Sequence, residues 1–387
     1  MVVIDADDRP LRAAKLWNDT ESAEDADALV AALGAPSWAT ACGSVPVAAF
    51  TITKLAWLRR VEPEVHAAID QVLLPHDWLT GRWTADRTTD RGDASGTGYW
   101  SPASGDWRED LLAMVDLGVQ HVPRVLGPLE AAGERDGAVI APGTGDNMAA
   151  ALGLGLRPGD VAVSIGTSGT TFAVAPAPTA DPSGAVAGFA DATGRFLPLV
   201  CTLNATKVSD AVARLLGVDH TQLDALALAS APGAGGVCVV PYFDGERTPN
   251  LPHASGSIAG MRSDISREQL ARAAFEGVIC GLLDGLDALR AVAVDVGGRV
   301  FLAGGGAQSA AYRSVLADLI GRPVIVAAEP EPVALGACVQ AAAVLHQRAA
   351  DDVAAAWDVG IGQVVDPTAG VDAAAIRAQY RAAAADP

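Results

Sequence analysis

Apolar residues in this chain fall into short runs, and their spacing alternates between strand-like and helix-like. Val2 to Ile4 is a three-residue apolar run before the Asp7-Asp8 turn, and Leu11 to Leu16 reads as a second strand running into Trp17-Asn18-Asp19. Phe50 to Arg60 has helical spacing, as does Glu64 to Val72, where Pro63 stands at a helix start. From Pro75 to Pro102 the periodicity lapses into a polar stretch rich in Thr, Asp and Gly, which predicts loops and short hairpins. Loops of that length in a compact domain are usually functional or disordered.

Beyond Gly137 the pattern sharpens. Ala138 to Ala141 predicts a strand, the sequence PGTGD a tight turn, and Asn147 to Leu154 a helix of small residues. Asp160 to Ile165 and Thr170 to Val174 are apolar runs joined by Gly166, Thr167, Ser168 and Gly169, a hairpin signature. Val237 to Tyr242 predicts a buried strand, and Ser266 with Gln269 forms a capping box at the start of a long helix. In that helix Phe275, Ile279, Leu282, Leu286 and Leu289 make one apolar stripe, which marks a core face. A strand at Val300 to Ala303 leads through Gly304, Gly305, Gly306, Ala307, Gln308 and Ser309 into a helix ending at Ile320. A strand at Pro323 to Ala327 and helices at Val333 to His346 and Ala373 to Ala384 complete the pattern. Strands alternating with helices predict an α/β fold, and the best break, at Leu154 to Gly159, separates domains at 1–156 and 157–387.

Composition narrows the function. A chain of 387 residues accommodates about two domains, and its 50% apolar content excludes general disorder. No apolar run approaches the ~18 residues of a membrane span, and the first residues, MVVIDADDRP, lack the pattern of a secretory leader. The net charge of -19 disfavours nucleic acid and anionic membranes as partners. The five Cys are widely spaced, never CxxC, and read as reduced thiols in a cytoplasmic protein. The six His are scattered without zinc spacing, so no structural transition metal is expected.

Three glycine-rich turns could carry chemistry. In Gly166 to Gly169, backbone N–H groups could converge on an anion beside the hydroxyls of Thr167 and Ser168, although a hairpin needs such glycines anyway. Gly304 to Gly306 strip side chains from a post-strand turn where a nucleotide could lie, and Ser309 stands as the cap of the next helix. Asp146, after Gly143-Thr144-Gly145, is either a helix cap or a general base that takes a proton from a substrate hydroxyl. Trp17, Asn18 and Asp19 combine a flat apolar surface with an amide and a carboxylate, suited to a sugar or equally to a capped strand end. Together these features form the layout of an ATP-dependent phosphotransferase without a Lys-bearing P-loop.

The stretches LWNDTES, FTITKLAWL, LPHDWLTGR, TDRGDASGTGYW, GTGDNMAAALGLG, SIGTSGT, PYFDGERTPN and FLAGGGAQS occur in an order that resembles the FGGY family of carbohydrate kinases. The likeness is nearest to members acting on D-xylulose. It implies two ribonuclease H-like domains of the actin-hexokinase superfamily, with the active site in a cleft. Asp146 would be the catalytic base, and Asn147, Trp17, Asn18 and Asp19 would contact sugar. Gly166, Thr167, Ser168 and Gly169, with Gly304, Gly305, Gly306, Ala307 and Ser309, would bind ATP. The implied reaction moves the γ-phosphate of ATP to O5 of D-xylulose, with Mg²⁺ bridging the phosphates; a homodimer is a further expectation. Glu246 and Arg247 are expected to form a structural ion pair.

The family's opening Asp-x-Gly-Thr hairpin and Met-His-Gly segment have no counterpart here, so the first domain is expected to be N-terminally truncated, with a partly exposed sheet. A non-catalytic nucleotide-binding remnant, or a kinase for ribulose, gluconate or glycerol, stand as alternatives.

Overall fold

In the computed structural model, which describes residues 1–385, the chain forms two compact units, each assembled from three separate stretches. The first comprises Met1–Gly155, Val174–Pro198 and Glu331–Val359; the second comprises Leu156–Ala173, Leu199–Pro330 and the chain from Gly360 on.

The first unit is built around helices. Trp38, Cys42, Ile52, Leu55, Leu58, Leu112 and Val115 form a fully buried cluster, and the Trp38 indole donates to the Leu29 carbonyl at 3.0 Å. Buried Lys54 likewise has partners, donating to the carbonyls of Asp19 (3.0 Å) and Ala48 (2.8 Å). The strand Val2–Ile4 pairs antiparallel with Gln71–Leu73. All three of its residues are buried, contrary to the exposed sheet expected, because Val3 packs into the helical core and Trp78 packs against Val2, Ile4 and Leu73. Leu11 to Leu16 is not a strand: Pro10 has no N–H to extend the ladder, and only isolated bonds, such as Leu11 N–H to the Val3 carbonyl, follow. The segment from Glu64 turns helical only through Ala67 and then becomes the strand Gln71–Leu73.

The Pro75 to Pro102 stretch also departs from expectation, since it holds two helices, Pro75–Thr84 and Arg91–Ser95. Local caps explain both. Pro75 opens the first, where Asp77 accepts the Leu74 N–H at 2.7 Å. Asp90 caps the second, accepting the N–H groups of Gly92 (2.7 Å) and Asp93 (3.2 Å).

Also in the first unit, the helices Asp146–Gly153 and Pro332–His346 cross backbone to backbone. A Cβ on Gly336 would lie 1.8 Å from the Ala149 carbonyl oxygen, and one on Gly153 would lie 1.8 Å from that of Pro332. Only glycine permits this approach.

The second unit is organised by a mixed sheet. Its strands run in the order Phe196–Thr202 (from Leu199 on in this unit), Gly169–Ala173, Val161–Ile165, Val300–Ala303, Val324–Ala327 and Gly362–Val365. The first three are antiparallel neighbours, whereas Val161–Ile165, Val300–Ala303 and Val324–Ala327 run parallel. That is the ribonuclease H-like order, third-second-first-fourth-fifth, with one antiparallel strand added. The helix Arg267–Ala291 begins at the expected capping box, with Gln269 N–H donating to Ser266 Oγ at 3.3 Å and Ser266 N–H to Gln269 Oε1 at 2.9 Å. Its stripe from Phe275 to Leu289 is buried, and Thr171 donates from the sheet to the Leu282 carbonyl at 3.0 Å. No described helix is long and apolar enough to cross a membrane, and the five cysteines are free.

Candidate active site

Asp146 is the first residue of the Asp146–Gly153 helix and is exposed; the cap position belongs to Gly145. One oxygen of its carboxylate serves the helix's own first turn. Asn147 donates to Asp146 Oδ1 from its backbone N–H at 2.7 Å and from Nδ2 at 2.9 Å, while Oδ2 takes neither bond.

The turn before Asp146 is held from two directions within the first unit. His76 Nε2 meets the Pro142 carbonyl at 3.0 Å, and Gln340, from the Pro332–His346 helix, donates to the Gly143 carbonyl at 2.8 Å. Gly143 has φ +80°, and a Cβ there would stand 2.5 Å from His76 Nε2. Around His76 gather Asp93 (Oδ2 2.7 Å from Nδ1), Asp77 (Oδ1 3.2 Å from Nδ1) and Asp90 (Oδ2 3.8 Å from Nε2). Burial by itself would lower the affinity of the imidazole for a proton, but the Asp93 bond and the three carboxylate charges raise its pKa to about 10. Burial also pushes Asp77 up to about 7 and Asp90 up to about 8, the latter with help from the Asp93 charge. None of this cluster was anticipated. The available signal was Pro75 followed by Asp77, a helix start that puts His76 in its first turn.

Trp17 and Asn18 are exposed in a turn, Trp17 at 62%. Asp19 is committed to structure: its Oδ1 accepts the Glu21 N–H and its Oδ2 accepts from Lys15, and these bonds, led by the Glu21 N–H, hold it below the usual carboxylate range. Lys15 also pairs with Glu21 and lies 3.7 Å above the Trp57 ring.

In the second unit, Gly166 to Gly169 is the hairpin turn between Val161–Ile165 and Gly169–Ala173. The carbonyls of Gly166 and Thr167 accept N–H groups from Thr206 (2.9 Å) and Ala205 (3.0 Å), and the Thr167 side chain is exposed. Gly169 has a packing reason to be glycine, since a Cβ would lie 2.6 Å from Leu282 Cδ2. Behind this turn, buried Glu246 accepts from the N–H groups of Leu203 (2.5 Å) and Arg247 (2.8 Å) and from Asn204 Nδ2 (3.0 Å). It thus meets the backbone of Arg247; no ion pair between the two side chains is found among the described residues. Burial raises the Glu246 pKa against those bonds.

The Gly304 turn is shaped by close approach. Gly304 has φ +80°, and a Cβ there would meet the Ile165 oxygen at 2.6 Å, whereas Gly305 has nothing within 4 Å of that position. The turn is thus packed on its Gly304 side and open on its Gly305 side. Ser309 caps the Ala310–Ile320 helix, accepting from Tyr312 N–H at 3.1 Å. That helix end already holds a carboxylate: Asp224 accepts from Ser309 Oγ at 2.6 Å and from the Ala310 N–H at 2.8 Å. Asp224 escaped the sequence reading because it lies 85 residues from Ser309.

Residues 1–153 match the FGGY family of carbohydrate kinases, N-terminal domain, and residues 161–345 match its C-terminal domain. The chain belongs to the FGGY family of carbohydrate kinases. It is 48% identical over 376 residues to the xylulose kinase of Streptomyces coelicolor, covering 95% of this chain and 76% of that protein. The Escherichia coli xylulose kinase is 36% identical over 334 residues, covering 83% of this chain and 68% of the other. Among solved structures, the xylulose kinase from Bifidobacterium adolescentis superposes with a TM-score of 0.86 at 40% identity, over 99% of this chain and 85% of that one. FGGY kinases use ATP, and the two-domain α/β fold described above is theirs.

Proposed function

We propose that this FGGY kinase transfers the γ-phosphate of ATP to O5 of D-xylulose, with Asp146 as the general base. The carrying observation is the exposed Asp146 carboxylate at a helix mouth, steadied through one oxygen by Asn147. A carboxylate so placed can take the proton of a hydroxyl as its oxygen attacks phosphorus, a contribution of about 10²- to 10⁴-fold. Trp17 and Asn18 offer the sugar a flat face and an amide, and Asp19 braces that segment through Lys15. On the nucleotide side, the bare backbone from Gly304 to Ala307 suits adenosine, and the turn from Gly166 to Gly169 suits phosphate oxygens. Ser309 supports the Gly304 turn as a cap. ATP brings Mg²⁺ on its phosphates, which offsets the charge developing there.

The deciding experiment is ADP release by the full chain with ATP and Mg²⁺, over D-xylulose, D-ribulose, gluconate and glycerol. Turnover highest with D-xylulose and lost in Asp146→Asn is expected. Equal turnover in that variant would remove Asp146 as the base, and a preference for another acceptor would move the substrate.

A further inference from the structure

We propose that His76 is a positioning residue, one that clamps the turn Pro142 to Asp146 through its bond to the Pro142 carbonyl while Asp77, Asp90 and Asp93 hold its ring. The inference rests on the kinase reading for its catalytic consequence but not for its geometry. A carbonyl oxygen only accepts, so the 3.0 Å contact requires a proton on Nε2. On the other side, Nδ1 lies 2.7 Å from a carboxylate oxygen of Asp93 and 3.2 Å from one of Asp77, ion-pair distances without hydrogen-bond alignment. Among these acids the ring is assigned the imidazolium form, with Nε2–H facing the Pro142 carbonyl and Nδ1 facing the acids. One donor grips the first residue of the turn that ends in Asp146. On its Nδ1 side the ring sits against Asp93 in the Arg91–Ser95 helix.

The charges around the ring fit that state. Asp77 comes from the same helix as His76, Asp93 from the next helix and Asp90 from that helix's cap, while Nε2 meets the neutral Pro142 carbonyl. His76, Asp90 and Asp93 each offer an atom within 4.8 Å of the others, the spacing of a metal site. Nε2 is committed to the Pro142 carbonyl, and the imidazolium form assigned here leaves no ring nitrogen free to ligate a metal. Asp90 Oδ2 and Asp77 Oδ1 are buried without hydrogen-bond partners, so the ring is the cation these acids face. The close approach also explains Gly143: any side chain there would strike the imidazole.

The test uses the full chain. Histidine side-chain ¹⁵N–¹H spectra, with His76→Gln identifying the signal, should show both ring nitrogens protonated at about pH 8, where an ordinary histidine is neutral. Asp93→Asn should return the ring to a neutral tautomer at that pH. A bare nitrogen in the unaltered protein overturns the proposal. Amide exchange at residues 143–146 should quicken about tenfold or more in His76→Gln while the Arg267–Ala291 helix is unaffected. His76→Lys, which restores a cationic donor, should recover most of that protection. Unchanged exchange in His76→Gln also overturns the clamp; if that variant does not fold, Asp93→Asn carries the same readouts. In turnover, kcat should fall about tenfold in His76→Gln with the KM for ATP held, because a displaced base slows chemistry rather than nucleotide binding. A raised KM for ATP at constant kcat would contradict positioning. Should the unaltered chain phosphorylate no sugar, the kinase reading fails, while the spectra and exchange still decide the clamp.

Discussion

Gln340 donates from Nε2 to the carbonyl of Gly143 at 2.8 Å, linking residues 197 positions apart inside one compact unit. The Gln340 side chain is buried and the bond is shielded from water in part. It fixes the carbonyl next to the one His76 grips, and two neighbouring peptide groups ahead of Asp146 are held from two different helices.

Replacing that amide by a shape match separates bonding from packing. Gln340→Leu leaves the Gly143 carbonyl without its donor and should cost about 1–3 kcal/mol of stability. It should also lower kcat more than it changes the KM for ATP. Urea unfolding beside steady-state kinetics checks both, and unaltered kcat would show that the turn does not depend on this bond.

Asp146→Asn should remove about 10²- to 10⁴-fold of turnover. The side chain is exposed and Asn keeps the oxygen that accepts the Asn147 N–H, so the melting temperature should stay near that of the unaltered chain. Calorimetry should show ATP still binding.

The charged His76 predicts a pH dependence of definite sign. Its folded-state pKa is raised, to about 10 from 6.5, so the stability it contributes is fully present below pH 6.5 and is lost as pH rises through 10. The deficit in Tm of His76→Gln relative to the unaltered protein should therefore be largest near pH 6.5 and shrink above pH 10. Melting curves of both proteins across that range test it; a gap that widens with pH would contradict the assignment.

Gly336 should tolerate no side chain. The Cβ of Gly336→Ala would fall 1.8 Å from the Ala149 oxygen, so the two helices must separate. Overpacking of this sort costs about 1–3 kcal/mol or more. Since the Asp146–Gly153 helix moves with it, activity should fall along with Tm.

Glu246→Gln tests the support behind the phosphate turn. An amide cannot accept from both Leu203 N–H and Asn204 as the carboxylate does, and one buried donor left unsatisfied costs about 1–3 kcal/mol. Because Ala205 and Thr206, next in sequence, hold the Thr167 and Gly166 carbonyls, the KM for ATP should rise while the sugar KM changes little. Kinetics with each substrate varied in turn would show whether the effect falls on the nucleotide.

Much of the second unit was legible because its signals are local. The strand Val300–Ala303, the capping box at Ser266, the stripe from Phe275 to Leu289 and the helix Ala373–Ala384 lie where patterning puts them. The first unit was harder. Leu11 to Leu16 has a strand's composition but lacks the ladder donors, because Pro10 interrupts them. The stretch after Pro75 was misread because its helices are made by caps and by burial of polar residues, neither of which shows as apolar periodicity. The candidate base stood out by its place after a glycine turn. Its supports, His76, Asp93 and Gln340, did not, since each acts across a separation that only the folded chain closes.

The glycine-to-glycine crossing also sets a timetable for synthesis. The Asp146–Gly153 helix leaves the ribosome before its partner, Pro332–His346, has been made. At about 5–20 residues per second, the intervening stretch of about 180 residues keeps its small-residue face waiting some tens of seconds at the slower rates. A nascent chain stalled anywhere in that interval has the candidate base but not the helix that braces its turn, and chaperones that bind bare apolar helix faces would meet it there.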